Sequence, residues 1–378
     1  MRRTANLGCA LIEHATTPAL IDLGGESVPR CYSYPDIERL ADAFGQGLRR
    51  RGLDRGARVA ILAVNRAEYL IAFLGILRAG LVAVPVNHKL PAATVAFVLR
   101  DCDAALVICD RERRPLVPPD IARVVVPDDW EQLLREAPFT PDKPAPDEPA
   151  MFLYTSGSTG RPKGVVLSHH SHLWVLEVRS RKATTANRRV LVAAPLYHMN
   201  ALAMSQITLA TGGTIVLLPS FSASSYIDAA SRYRVQALTA VPTMIAMILR
   251  DASAMAAADL SAVESVRIGS APLSQRLLDR IRAAFPGATL SNGYGTTEAG
   301  PIVFAPHPDG FPLPDLSLGT AHPDVQLRLR RDGEVVADEG VLEMRCPAVM
   351  NGYHKLPDAT RRAFTGDGFY ITGDVFRR

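Results

Sequence analysis

The sequence predicts an α/β protein: two helix-flanked, mostly parallel sheets plus a smaller β-rich, barrel-like subdomain near the C-terminus. Three observations carry that expectation. Short apolar runs alternate with segments of helical periodicity from about residue 33 to 110, and the alternation resumes after residue 150, the order that a parallel sheet with crossover helices requires. Five prolines (138, 141, 144, 146 and 149) separate the two series, too dense for a helix or central strand, so this stretch reads as a surface connector. Beyond residue 310, alternating runs flank Asp332-Gly333, which signals antiparallel strands joined by a tight turn.

The elements follow in order. Ile37, Leu40, Ala41, Phe44 and Leu48 recur at helical spacing, with Ser33 and Asp36 at the start and Gly52 past the end, the pattern of a capped amphipathic helix. ARVAILAV (57–64) reads as a buried strand, AEYLIAFLGILRAG (67–80) as a helix ending at Gly80, and LVAVPV (81–86) as the next strand. AATVAFVLRDCD and AALVICD repeat the helix–strand pair. In the second series, RRVLVAAPL, TIVLLP, VQALTAVP, SVRIGS and ATLSNGYG read as strands, with helices near Leu202 to Leu209, from about Ser224 and from about Pro242.

Bulk properties narrow the function classes. The chain has 378 residues, more than one hydrophobic core usually serves. Hydrophobic residues at 48% and charged residues at 21% fit an ordinary globular protein and favour neither a disordered nor a fibrous class. The net charge is +4, lysine occurs only at positions 89, 143, 163, 182 and 355, and the arginines are scattered, so no nucleic-acid footprint is expected. Cys9, Cys31, Cys102, Cys109 and Cys346 are odd in number and form no C-x-x-C pair, which disfavours disulfides and zinc and points to a reducing, cytoplasmic setting. The most apolar run, Tyr69 to Leu77, is stopped by Arg78, well short of the ~20 residues a bilayer requires. Arg2 and Arg3 precede no apolar signal segment.

The stretch LYTSGSTGRPKGVV (153–166) is the main candidate for chemistry. Gly157 and Gly160 let backbone amides approach an anion, Thr155, Ser156, Ser158 and Thr159 supply hydroxyls, and Lys163 supplies a point charge. A polyphosphate suits that set, and a plain Gly/Ser surface loop is the alternative. A Walker A loop is excluded, because Pro162 stands where that motif needs glycine and Gly164 where it needs Ser or Thr. An apolar strand is expected before the loop and a helical pattern after it. His169, His170 and His172 lack further ligands in view, and a helix start explains them better than a metal.

YTSGSTGRPKGV resembles the phosphate loop of the adenylate-forming (AMP-binding) superfamily of acyl-CoA synthetases, luciferases and peptide-synthetase adenylation domains. Tyr294-Gly295-Thr296-Thr297-Glu298 is similar to its Y-G-x-T-E motif and Tyr370-Ile371-Thr372-Gly373-Asp374 to its Y-x-T-G-D motif; GSAPL (269–273) and GYHKLPDAT (352–360) match two further segments, in the expected order. The resemblance implies an ATP/AMP site formed by Thr155, Ser156, Gly157, Ser158, Thr159, Gly160, Lys163, Ser270, Ala271, Pro272, Asn292, Gly293, Tyr294, Gly295, Thr297 and Asp374. Lys163, Thr297 and Glu298 are the implied catalytic residues, with Glu298 helping to hold Mg²⁺, a cation suited to one or two carboxylates plus phosphate oxygens and water. Asp374 would accept from both ribose hydroxyls. His198, in PLYHMNAL, with Asn200, Thr243 and Gly269, is expected to line the acid pocket.

What the resemblance implies is an N-terminal large domain over residues 1–378, its β-rich part formed largely from about 311–378, and an ATP- and Mg²⁺-dependent activation of a carboxylic acid followed by thioester formation with CoA. In that family a C-terminal lid domain with a late lysine follows the T-G-D motif. The chain ends four residues after Asp374 and has no lysine beyond Lys355, so the lid is expected to be absent and the isolated chain poorly active. An amino-acid adenylation domain serving a carrier protein and a nucleotide-binding module without turnover stay open as alternatives, as does the identity of the acid. No feature of the sequence fixes an oligomeric state.

Overall fold

Apolar runs become central strands where helices cover both faces of a sheet. The computed structural model describes residues 4–12, 17–24, 28–156, 160–181 and 187–378, and in it two seven-stranded sheets follow that rule. The first runs, in spatial order, Gly352–Tyr353, Lys163–Ser168, Pro149–Thr155, Val82–Pro85, Arg58–Leu62, Ala104–Asp110 and Arg123–Val126. Its last five strands pair in parallel; the two pairings at the other end are antiparallel. The second runs Thr289–Gly293, Ser265–Gly269, Ala237–Ala240, Arg189–Val192, Thr214–Leu217, Leu20–Asp22 and Arg30–Tyr32, parallel except for its final pair. A separate antiparallel sheet contains Glu334–Val336, Gln326–Arg331, Glu339–Arg345 and Tyr370–Arg377.

Local chemistry sets the ends of the elements. Helix Tyr34–Arg50 begins at Ser33, which forms a reciprocal capping box with Asp36, satisfying two amides that the first turn would leave unpaired. Helix Met199–Thr211 stops at Gly212, whose φ of 83° is the left-handed conformation glycine adopts without strain. Asp332 and Gly333 have φ values of 52° and 86°, and Arg331 pairs with Glu334 across them, the twist-matched hairpin turn that the dipeptide predicts. Helix Ala67–Arg78 is buried along its whole length. Its Arg78 is kept there by Glu38, Asp42 and the Gly8 carbonyl. Among the described residues, no helix is long and apolar enough to cross a membrane.

Three connections differ from the sequence reading. The antiparallel strands Leu20–Asp22 and Arg30–Tyr32 join the second sheet, Leu20 beside Ile215, although they precede the first sheet in the chain; strands of three residues carry too little periodicity to be read. The phosphate-loop candidate returns as strand Lys163–Ser168, and only then does helix His169–Ser180 begin; an antiparallel partner was hidden because KGVVL is short enough to suit either element. Within the C-terminal β-rich region, Gly352–Tyr353 pairs with Val165 and Val166 in the first sheet, which brings a distant segment to the loop.

Candidate functional site

The hairpin sets Thr155 opposite Lys163 and Tyr154 opposite Gly164. Glycine is needed at 164: a Cβ there would lie 2.9 Å from the Tyr154 ring. The Tyr154 hydroxyl donates to Asp101 Oδ2 at 2.6 Å, which fixes the hairpin base against the end of helix Ala92–Asp101. Ser156 is exposed, Gly160 takes a φ of 82° with open space about it, and Gly157, Ser158 and Thr159 lie outside the described residues.

Lys163 extends its ammonium over the Tyr353 ring, 4.4 Å from the centroid. The Tyr353 hydroxyl donates to Glu298 Oε1 at 3.0 Å. Glu298 is itself held by its backbone, since its carbonyl accepts from the Met350 amide at 2.7 Å. It projects from a tight turn in which Thr296 N donates to the Gly300 carbonyl at 3.2 Å and Thr296 Oγ1 accepts from the Ala299 amide at 3.0 Å; Thr297 is half-buried in the same turn. Burial, and then the Glu298 carboxylate, push the phenols of Tyr353 and Tyr370 up, so both remain protonated donors around that carboxylate. Lys163, Tyr353 and Glu298 thus form one line of charge, ring and carboxylate assembled from three chain segments.

A second convergence lies beside it. The Tyr294 hydroxyl donates to Asp374 Oδ2 at 2.5 Å, joining motifs 80 residues apart, and the Tyr294 ring meets Phe376 edge-on at 4.7 Å. Burial first, then Asp374, raises the Tyr294 phenol. Asp374 is braced by a bond from its own amide to Thr372 Oγ1 at 3.1 Å. Ser270, Ala271 and Pro272 leave the end of strand Ser265–Gly269, where Ser270 has a φ of 68°. Gly269 pairs with Gly293 on the adjacent strand, and Asn292 Nδ2 donates to the Leu316 carbonyl at 3.3 Å.

The acid-pocket candidates share this sheet edge. Strands Thr289–Gly293, Ser265–Gly269, Ala237–Ala240 and Arg189–Val192 are consecutive and parallel. Gly293 and Gly269, with Gly295 just beyond, end the first two, Thr243 lies in the first turn of helix Pro242–Ile248 after the third, and His198 and Asn200 begin helix Met199–Thr211 after the fourth. Ligands of open α/β sheets bind at this carboxyl end. His198 makes no side-chain cap bond; its ring lies 4.5 Å from that of Tyr197, which in turn lies 5.2 Å from His88.

The His169/His172 pair serves packing. His169 Nδ1 accepts from the Leu7 amide at 3.1 Å, His172 Nε2 lies 3.2 Å from Met199 Sδ, and burial lowers their pKa values to about 4 and about 3. Among the described residues, no group of three or more His, Cys, Asp or Glu side chains could hold a metal by itself. Sequence reasoning did not single out Tyr353, Tyr370 or Arg267. The first two lie within the GYHKLPDAT and Y-x-T-G-D segments, but their hydroxyls acquire a role only once the fold brings Glu298 to them.

Comparison with known proteins shows the family of the chain. The family described as AMP-binding enzyme matches residues 12–354. The chain is 33% identical over 353 residues to a feruloyl-CoA synthase of an Amycolatopsis species, covering 91% of this chain and 70% of that protein. It is 32% identical over 352 residues to the sulfoacetate–CoA ligase of Cupriavidus necator, covering 89% and 68%. Among solved structures, ATP-bound MatB from Rhodopseudomonas palustris superposes with a TM-score of 0.87 at 27% identity, covering 99% of this chain and 76% of that one. The inhibitor-bound N-terminal domain of FACL13 from Mycobacterium tuberculosis superposes with a TM-score of 0.84 at 27% identity, covering 98% and 96%. With the matched span taking in the hairpin loop, Glu298 and Tyr353, the chain belongs to the AMP-binding enzyme family.

Proposed function

We propose that residues 1–378 form the large domain of an ATP-dependent acid–CoA ligase working in the cytoplasm. The observation that supports this reading best is the convergence of Lys163, Tyr353 and Glu298 beside the Tyr294–Asp374 pair. Lys163 and the hydroxyls and amides of the 155–160 loop hold the phosphates, Thr297 adds a further donor, Asp374 accepts from the ribose, and the 270–272 and 292–295 segments flank the base. A carboxylate oxygen of the acid attacks the α-phosphorus of ATP, and the bond from that phosphorus to the bridging oxygen breaks, giving acyl-AMP and pyrophosphate. The CoA thiol, losing its proton, then attacks the acyl carbon and AMP leaves. Both reactants of the first step are anions, so fixed donors and positive charge supply much of the catalysis.

Glu298 suits Mg²⁺, because an isolated carboxylate among hydroxyl donors fits a cation that takes most of its ligands from phosphate and water. The bound ion would neutralise phosphate charge. Relatives named feruloyl-CoA synthase and sulfoacetate–CoA ligase favour CoA as the acceptor here and a small carboxylic acid as the substrate, with His198, Asn200, Thr243 and Gly269 at its pocket. ATP–pyrophosphate exchange over a panel of acids, followed by thioester formation with CoA, tests the reading. Exchange that requires a non-amino carboxylic acid is expected. Exchange only with amino acids would mark a carrier-loading adenylation domain, and ATP binding without exchange under any acid would mark a nucleotide-binding module.

A further inference from the structure

The chain supplies recessed arginines with acidic partners almost everywhere. Arg78 has Glu38 and Asp42, and Arg30 has Asp22 and Glu68. Arg267 and Arg179 are exceptions. Among the described residues neither forms an ion pair or a side-chain hydrogen bond, and the charged neighbour that acts on Arg267 is Arg179 itself. Burial, with Arg179 adding repulsion, pushes Arg267 down to about 9. Both keep intermediate solvent exposure, although burial acts on both.

The strand register locates the pair. Val266 and Ile268 are buried on one face of strand Ser265–Gly269, so alternation puts Arg267 on the other face with Gly269. The register Arg267 to Ser291 and Gly269 to Gly293 places the guanidinium on the face of the Gly269/Gly293 pair. A Cβ at Gly293 would lie 2.6 Å from Arg267 Nη2, so the missing side chain at 293 is what leaves space for the cation. Arg179 enters from the last turn of helix His169–Ser180. Two guanidinium groups partly withdrawn from water, with no acid beside them among the described residues, are costly, and an arriving anion lowers that cost while gaining a forked, two-bond partner.

We propose that Arg267, reinforced by Arg179, anchors a second anionic group on the acid substrate, so that the site activates a short carboxylic acid bearing a distal carboxylate rather than one with a neutral tail. This rests on the adenylation reading and specifies its substrate. Because the guanidinium lies against Gly293, at the same sheet edge as the other pocket candidates, the spacer between the two acid groups is short.

The test pairs acids of equal length: succinate with butanoate, and glutarate with pentanoate and with glutarate monomethyl ester. Binding is measured by calorimetry in the presence of Mg-ATP and turnover by pyrophosphate exchange. The native protein should favour each dicarboxylate by roughly 30-fold or more, the scale of a recessed charge pair. Arg267→Leu should abolish that preference and Arg267→Lys should keep part of it, with ATP affinity and circular dichroism unchanged in both. Equal or better use of the monoacids by the native protein, or no dicarboxylate binding at all, overturns the proposal even if no variant folds. So does an Arg267→Leu protein that loses ATP affinity and keeps its acid preference, since the anion held would then be a nucleotide phosphate. Failure of the underlying reading looks different: the folded native protein would bind no ATP.

Discussion

Replacing Tyr353 separates two contributions to the candidate nucleotide site. Tyr353→Phe keeps the ring beneath the Lys163 ammonium and deletes only the hydroxyl that donates to Glu298 at 3.0 Å. A hydrogen bond to a charged group is worth ~1.5–3 kcal/mol, and the half-buried position favours the lower figure, about a tenfold loss in Mg-ATP affinity. Tyr353→Leu also removes the ring under Lys163, a further ~0.5–1 kcal/mol, for a combined loss of roughly 30- to 70-fold. Isothermal titration of each variant with Mg-ATP reads these values, with circular dichroism as the folding control. Since the hydroxyl acts through Glu298, Tyr353→Phe in a Glu298→Gln background should cost less than half as much as in the native protein. Unchanged affinity in both single variants, or strict additivity with Glu298→Gln, would refute the idea that Tyr353 couples the lysine to the carboxylate.

Other expectations follow from burial and packing. His169 and His172 are neutral in the fold down to about 4 and about 3, whereas unfolded histidine protonates near 6.5, so the unfolded state gains protons first as pH falls. Their stabilisation is therefore complete above about pH 6.5 and declines toward their folded pKa values, by about 2 kcal/mol each at pH 5; urea unfolding that is no easier at pH 5 than at pH 7.5 would contradict this. Gly164→Ala forces a Cβ to within 2.9 Å of the Tyr154 ring and should cost ~1–3 kcal/mol, seen as a lower melting temperature that Tyr154→Leu in the same chain partly restores. Ser33→Ala breaks the capping box of helix Tyr34–Arg50 and should cost ~1 kcal/mol in urea unfolding, without effect on ATP affinity.

The parts of the fold that could be read in advance are those where local pattern and tertiary environment agree. Helix Tyr34–Arg50 shows its cap and apolar stripe in the sequence, and the parallel strands appear as uniform Val/Ile/Ala runs because both faces are covered. The N-terminal hairpin could not be placed that way, since its contribution depends on pairing Leu20 with Ile215 almost two hundred residues later. Strand Lys163–Ser168 was hidden for a related reason: its partners are Pro149–Thr155 before it and Gly352–Tyr353 far after it. At the site, resemblance to family motifs pointed to Lys163, Glu298 and Asp374 one at a time. It could not indicate that Tyr353 lies between the first two or that Tyr294 holds the third. Arg267 reads as one more arginine in a strand until the register sets it against Gly293, with no acidic partner among the described residues.

The central claim is that Lys163, Glu298 and Asp374 belong to one nucleotide site, and equilibrium titration with Mg-ATP, AMP and adenosine tests it most directly. The native protein should bind Mg-ATP saturably at one site per chain. Lys163→Ala and Glu298→Gln should weaken Mg-ATP about tenfold or more, as expected for lost charged contacts, while leaving adenosine nearly unaffected. Asp374→Ala should weaken all three ligands alike, because the ribose is common to them. A folded native protein that binds no Mg-ATP, or three variants whose affinities match the native one, would contradict the account.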